Sequence, residues 1–380
     1  MIKDIEIENF RCFEHTKIEG FERVNLIGGK NNSGKTALLE AILLNQSPQS
    51  KTIFLLRQLR RESEDFSKAS PKKTWDNFFL NNQTEKIVKI ITKSLDNNTQ
   101  AISFSVTKEI NLYELLELFK TGNLNFEKIT PRNFDEKNIS SLLFDKDTGS
   151  KLIINIQKKN SLGEVINIKG SDIQLISTDT GIFYTKHSKN SPKINDLITS
   201  SLSMSSDMLA QEYDKADVEN RSSIILDCLK IIDSSLETMK TFSIGQPQLY
   251  LKRKNENYLP ISLFGDAINR IVEIILCFIN NKSSPLLIDE IENGIHYTNH
   301  KDFWKALFEL SKELNVQIFA TTHSLEMIKA FRDIGLKYYP DSGAYFEMAR
   351  HYKTGQIIGI KRDLETLDYA IEHAKGVRGE

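Results

Sequence analysis

Gly29-Lys30-Asn31-Asn32-Ser33-Gly34-Lys35-Thr36 spells G-x-x-x-x-G-K-T, directly after the apolar run Val24 to Ile27 and directly before the helix-forming stretch Ala37 to Leu44. A strand, a glycine-rich turn and a helix in that order cradle phosphate, because successive backbone N–H groups and the positive end of the helix face the anion. Gly29 and Gly34 allow close approach, and Asn31, Asn32 and Ser33 carry the backbone between them. Lys35 would reach the β- and γ-phosphates, and Thr36 would place its hydroxyl on Mg²⁺. The chemistry is that of a nucleoside triphosphate.

Asp289 and Glu290 follow the apolar run Pro285 to Ile288. An Asp at such a strand end holds Mg²⁺ beside a triphosphate, and a carboxylate one residue on can orient the attacking water or take its proton. Read alone, the pair is equally a solvated turn after a core strand. The phosphate loop in the same chain favours catalysis. His323 stands at another strand end, after Phe319 to Thr322, where an imidazole can bond the γ-phosphate or the water. Ser324 would then cap the next helix.

Elements that position these groups follow from the pattern. Short strands at Ile5 to Glu8, His15 to Ile18 and Arg23 to Ile27 lead into the loop. Residues Ser47 to Lys73 read as a mobile or helical connector. Runs at Ile87 to Thr92, Ala101 to Thr107, Lys151 to Ile156 and Gly163 to Ile168 predict an antiparallel sheet, and Asn195 to Thr241 a helical arm. Beyond it, helices at Phe264 to Ile279, His300 to Leu314 and Ser324 to Phe331 alternate with the strands ending at Asp289 and Ala320. A hairpin, Ala344 to His351 with Gln356 to Lys361, and a last helix complete the chain.

Composition sets bounds. The 380 residues are 39% hydrophobic, enough for a sizeable core, and 50 basic against 51 acidic residues give no overall attraction to nucleic acid or anionic membrane. Cys12, Cys228 and Cys277 have neither disulfide nor zinc spacing, which fits a reducing cytoplasm. The longest apolar stretch, Ile268 to Ile279, is far short of the roughly 20 residues that span a bilayer, so no membrane partner is expected. His296 and His300 stand four apart without the H-E-x-x-H glutamate, and Lys252-Arg253-Lys254 reads as a solvated strand or turn.

Ile7-Glu8-Asn9-Phe10-Arg11-Cys12-Phe13, the Gly29 to Thr36 loop, Leu287 to Gly294 and Thr321 to Ser324 together resemble the ATP-binding-cassette ATPases of the OLD, RecF and SMC type, often grouped as AAA-family ATPases. The resemblance implies an α/β fold: a P-loop NTPase, an ABC-type head with an antiparallel β subdomain and a helical insertion. The head would comprise 1–46 (N-terminal strands and phosphate loop), 47–194 (β-rich subdomain and connector), 195–247 (helical arm), 248–340 (signature, Walker B and switch-histidine lobe) and 341–380 (hairpin and helix). It implies ATP and Mg²⁺ as cofactors, with Thr36 and Asp289 at the metal and Lys35, Glu290 and His323 in catalysis. It further implies a homodimer or higher homo-oligomer closed around ATP.

Ser262 and Gly265, within Leu259 to Ala267, stand for the signature that contacts the γ-phosphate across such a dimer. The segment departs from L-S-G-G-Q at Phe264, and a helix cap followed by a turn glycine is the other reading. Arg11 matches the family's N-terminal arginine beside the nucleotide, or is a surface arginine after a strand. Gln58 and Gln83 are the candidates for the glutamine loop. OLD relatives carry a C-terminal nuclease, and the stretch after His323 is too short for a domain of about a hundred residues. A separate effector, nuclease or toxin, is therefore expected, in antiviral defence. The alternative is a RecF- or SMC-like ATPase acting on DNA, and a third possibility is an ATP-binding scaffold with little turnover.

Overall fold

Two sheets with a helix between them hold the chain together. A computed structural model describes residues 1–108, 124–126, 149–166, 172–185, 197–198, 204–280, 285–373 and 376–377. One sheet runs in the order 197–198, Leu286–Ile288, Ile318–Thr321, Val24–Gly29, Gly343–Arg350, Ile357–Asp363, parallel except for the last pair. Every residue of Val24–Gly29 is buried, as expected of a central strand covered on both faces.

The two faces of this sheet feed two cores, because side chains alternate along a strand. Val24, Leu26, Leu286, Ile288, Ile318 and Ala320 face helices Asp266–Asn280, His300–Glu313 and Leu325–Tyr338. Ile27, Leu287, Phe319, Ala344 and Phe346 face helix Lys35–Gln46 and the second sheet. That second sheet is antiparallel at each pairing and contains Ile2–Phe10, Phe13–Glu19, Val88–Ser94, Thr99–Thr107, Ser150–Lys159, Asp172–Thr178 and Gly181–Thr185.

Helix Lys35–Gln46 is buried along most of its length, from Ala37 through Asn45. A helix buried on most sides belongs in a core, and Asn45 fixes how this one sits. Asn45 donates to the Ile90 and Gln100 carbonyls (2.9 and 3.1 Å) and accepts from Thr92 Oγ1 at 2.7 Å. The antiparallel sheet thus holds the C-terminal end of the helix whose N-terminus carries Lys35 and Thr36.

The connector after the phosphate loop contains helices Ser50–Leu59 and Glu64–Ala69. The helical arm is shorter than its pattern suggested: Ser206–Val218 and Ser222–Ile232 are helices, but Leu236–Phe242 is a strand paired with Gln248–Arg253. Gly245, at φ 88°, lies in the reversal, and Phe242 packs edge-on against Tyr250 at 5.0 Å. Cross-strand aromatic packing outweighs helix spacing there. The start of the arm, 195–196 and 199–203, and the end of the Gly163 to Ile168 run lie outside the described residues. The tail hairpin adds Gly343–Arg350 directly to the phosphate-loop strand.

Trp304 fixes helix His300–Glu313 to helix Leu325–Tyr338. It is fully buried, its Nε1 donates to the Met327 carbonyl at 3.2 Å and its ring meets Phe331 at 4.9 Å. Trp304→Ala should cost about 3–5 kcal/mol, measured as a lower midpoint of denaturant unfolding.

Candidate active site

Parallel pairing puts the chemistry-bearing strand ends side by side. Ile27 lies opposite Thr321, and Ile288 opposite Ala320. Asp289 and Glu290, the phosphate loop and His323 therefore emerge at one edge, the carboxyl edge where open α/β sheets bind ligands. They line one cleft of about 1030 Å³, together with Arg11, Asn31, Asn32, Ser33, Gly34, Lys35 and Thr36.

The loop has the conformation its residues demand. At Gly29, φ is 145° and a Cβ would sit 2.4 Å from the Met348 carbonyl oxygen. Gly34 has φ 91° and precedes the helix as its N-cap. Only glycine fits the first position and glycine is strongly favoured at the second. Lys35 folds back over the loop, donating to the Gly29 and Lys30 carbonyls at 2.7 and 2.9 Å. Burial pulls its pKa below the ordinary lysine value, opposed by the charges of Asp289, Glu292 and Glu290.

Thr36 Oγ1 lies 3.0 and 3.2 Å from the two Asp289 carboxylate oxygens. Thr321 Oγ1 donates to Asp289 Oδ1 and accepts the Glu290 N–H at 2.8 Å. One buried hydroxyl thus orients both acidic residues. Burial raises the Asp289 pKa, and the Thr321 and Thr36 hydroxyls partly offset that rise. A hydroxyl and a desolvated carboxylate are the hard oxygen donors that Mg²⁺ prefers, so Thr36 and Asp289 fit the ion.

Glu290 has φ 51°, a left-handed backbone that costs an acidic side chain of its size about 1–2 kcal/mol. The bond to Thr321 and a 3.0 Å bond from the Asn293 N–H to the Glu290 carbonyl hold it there. Asn293 Nδ2 also donates to Glu290 Oε2 at 2.6 Å. His323 is exposed, with Nδ1 3.0 Å from Glu292 Oε1, which also accepts the His323 N–H at 2.9 Å. With Nδ1 donating in the neutral ring, Nε2 is left as an acceptor. Ser324 caps its helix, accepting the Met327 N–H at 3.2 Å.

Arg11 is not a surface residue. Its side chain is 8% exposed, Nε meets Glu40 Oε2 at 2.8 Å, and its guanidinium lies 4.5 Å from the Phe78 ring centre. Glu40 is fully buried, and its other oxygen takes Arg60 Nε at 2.7 Å. Arg11 Nη2 is buried without a partner among the described residues, an unfilled donor on a residue that lines the cleft.

Ser262 and Gly265 do not line this cleft. Ser262 lines a separate hollow with Arg270, Glu273, Asn293 and Gly294, and Gly265, at φ 84°, ends the short helical turn before Asp266–Asn280. Gln58 is exposed, and neither it nor Gln83 is among the lining residues. Instead Asn77, Asn81, Asn82 and Arg350 line it, positions that no motif marks. His296 and His300 do not share a helix face: His296 bonds Thr298, whereas the buried His300 bonds the Ile295 carbonyl. Lys252 and Arg253 pair with Glu237 and Asp233.

Residues 1–328 match the family model described as AAA ATPase domain. A protein of Helicobacter pylori named ATP/GTP phosphatase is 26% identical over 340 residues, 87% of each chain. The RecF DNA replication and repair protein of Bacillus mycoides is 37% identical over 65 residues, 17% of each chain. A solved SMC head bound to the C-winged helix domain of ScpA superposes loosely, at 12% identity and TM-score 0.48 over 96% of this chain and 98% of that one.

Two outcomes follow from the buried charges. Glu40→Ala would leave Arg11 and Arg60 without their shared anion, and should destabilise by about 3–5 kcal/mol in chemical denaturation. Asp289→Asn should raise the melting temperature of the nucleotide-free protein in chelator. Because the folded pKa of Asp289 lies above its unfolded value, ionisation destabilises the fold as pH rises through that folded pKa. The gain should be full at neutral pH and vanish below the ordinary carboxylate value of about 3.9.

Proposed function

The chain belongs to the AAA ATPase domain family and hydrolyses ATP, and from that premise we propose that it is an ABC-type MgATPase that dimerises around nucleotide to control a separate effector protein. The observation that carries the reading is the convergence of Lys35, Thr36, Asp289, Glu290 and His323 in one cleft, with Thr36 bonded to Asp289 and His323 held by Glu292. Lys35 neutralises the phosphates, held by the loop carbonyls until they arrive. Thr36 and Asp289 would hold Mg²⁺, which when bound would neutralise phosphate charge. Glu290 orients the attacking water and receives its proton, and His323 bonds the γ-phosphate or that water through Nε2.

In this reading Ser262 and Gly265 of a second copy close the cleft from outside. The placement of Ser262 in its own hollow, away from the same subunit's phosphate loop, supports action across a dimer. Antiviral defence, with a nuclease or toxin as effector, rests on the resemblance of Ile7 to Phe13 and Leu287 to Gly294 to the ATPases of the OLD, RecF and SMC type, whose OLD members work in defence. The local similarity to RecF supports the second reading, an ATPase working on DNA. Turnover stimulated by DNA and falling steeply with salt would favour it. Among the described residues no helix is long and apolar enough to cross a membrane.

Glu290→Gln should bind ATP within a few-fold of the parent while phosphate release falls about 10²–10⁴-fold. Light scattering should show it as an ATP-dependent dimer, and Ser262→Arg should abolish that dimer. Unchanged turnover in Glu290→Gln would remove Glu290 from the mechanism, and a monomer at saturating ATP would remove the composite site.

A further inference from the structure

Glu290, the carboxylate assigned to the attacking water, stands on a turn whose main chain is firmly held. The Ile291 N–H bonds the Thr321 carbonyl at 2.9 Å, the Asn293 N–H the Glu290 carbonyl at 3.0 Å and the Ile295 N–H the Glu292 carbonyl at 3.0 Å. Ile291 and Ile295 are buried and anchor the turn in the core beneath it. The Glu290 side chain is a separate matter. It is only partly buried, so packing alone does not aim its carboxylate.

Asn293 holds that side chain. Its Nδ2 lies 2.6 Å from Glu290 Oε2, a short contact of the charge-assisted kind. A carboxylate only accepts, so the amide must present its Nδ2 and not its oxygen. Main chain and side chain of Asn293 thus grip the same residue, one at the carbonyl and one at the carboxylate. Asn293 is not among the residues that line the nucleotide cleft, and lines the hollow of Ser262 instead. Its reach into the reaction therefore runs through Glu290.

We infer that Asn293 is a positioning residue for hydrolysis: its amide holds the Glu290 carboxylate in the orientation from which it takes the proton of the attacking water. This rests on the proposed role of Glu290 and adds what aims it. In that step the water oxygen bonds the γ-phosphorus, the bond from that phosphorus to the bridging oxygen of the leaving diphosphate breaks, and the proton passes to Glu290. Thr321, bonded to the Glu290 N–H, fixes the main chain, and Asn293 fixes the side chain. Without the amide bond the carboxylate would sample a wider set of rotamers. A displacement of about 1 Å at a reacting group is enough to lower a rate about 10²-fold.

The test measures ATP turnover, ATP binding and thermal unfolding in Asn293→Ala, Asn293→Asp, Glu290→Gln and the Glu290→Gln, Asn293→Ala double variant. Asn293 itself is not left-handed, and Asp has the size of Asn and suits the same turns. Asn293→Asp therefore keeps the shape while exchanging the donor for an acceptor of Glu290's own sign. Asn293→Ala should lower kcat about 10–10²-fold with ATP bound within a few-fold of the parent, and Asn293→Asp should lower it at least as far at an unchanged melting temperature. In the Glu290→Gln background, Asn293→Ala should make no further difference to turnover. Parent-like kcat in Asn293→Asp, raised turnover in Asn293→Ala, or an equal further loss in the double variant would each overturn the inference. So would a fall in kcat matched by a fall in melting temperature in both single variants, which would assign Asn293 to the fold alone. Parent-like turnover in Glu290→Gln would instead count against the active-site reading itself.

Discussion

Everything in the site depends on three parallel strands keeping one register. Leu286–Ile288, Ile318–Thr321 and Val24–Gly29 are short, fully buried and paired side by side. A slip of one residue in the middle strand would turn Thr321 to the other face and remove the hydroxyl that both Asp289 and Glu290 use. The Ile291 N–H bonds the Thr321 carbonyl and the Thr322 N–H bonds the Ile27 carbonyl, so the register continues into the loops that carry the chemistry. Geometry at a reacting centre is sensitive to shifts of about 1 Å. Packing on both faces of the sheet is what supplies that precision here.

The second constraint is the helix between the sheets. Its N-terminus must face the phosphates, yet most of its length lies in apolar surroundings where a stray charge is expensive. Glu40 is that charge, and Arg11 and Arg60 neutralise it from two sides. The same pair of bonds fixes Arg11 against Phe78 and leaves Nη2 of this cleft-lining residue unfilled. A packing requirement of the helix and a ligand donor are thus one network. Arg11 also has a left-handed backbone, φ 54°, and its N–H bonds the Phe78 carbonyl at 3.0 Å, which ties the turn bearing Asn77 to the first hairpin.

How much of this was legible in the sequence depended on range. Gly29, Gly34, Lys35 and Thr36 are a contiguous motif whose strand and helix flank it directly, and Asp289, Glu290 and His323 each end an apolar run. Local order was enough to find them. Their supports were not visible, because each is a contact between distant positions: Thr36 and Asp289 are 253 residues apart, and His323 and Glu292 are 31 apart. Thr321 reads as an ordinary strand threonine until the register is known. Asn77, Asn81 and Asn82 read as loop polarity, since Trp75 and Phe78 beside them carry a plain core signal. The helical arm failed for a related reason: Leu236, Met239 and the residues between them suit a helix locally, and the hairpin with Gln248–Arg253 overrides that preference.

The charge distribution of the cleft bears on the proposed dimer. At the γ-phosphate end Asp289, Glu290 and Glu292 all act on Lys35. Two of the lining arginines, Arg11 and Arg60, are committed to Glu40. Negative charge developing on a transferred phosphoryl group therefore meets carboxylates on its own subunit, with Lys35 beside them. Mg²⁺ held by Thr36 and Asp289 would offset part of that. The remainder calls for hydrogen-bond donors that bring no negative charge and arrive from the open side of the cleft. A serine hydroxyl and backbone N–H groups at a glycine turn have that character, and in the proposed dimer Ser262 and Gly265 supply them. Asn293 then stands where the two requirements meet, donating to Glu290 in one cleft and lining the hollow of Ser262 on its other side.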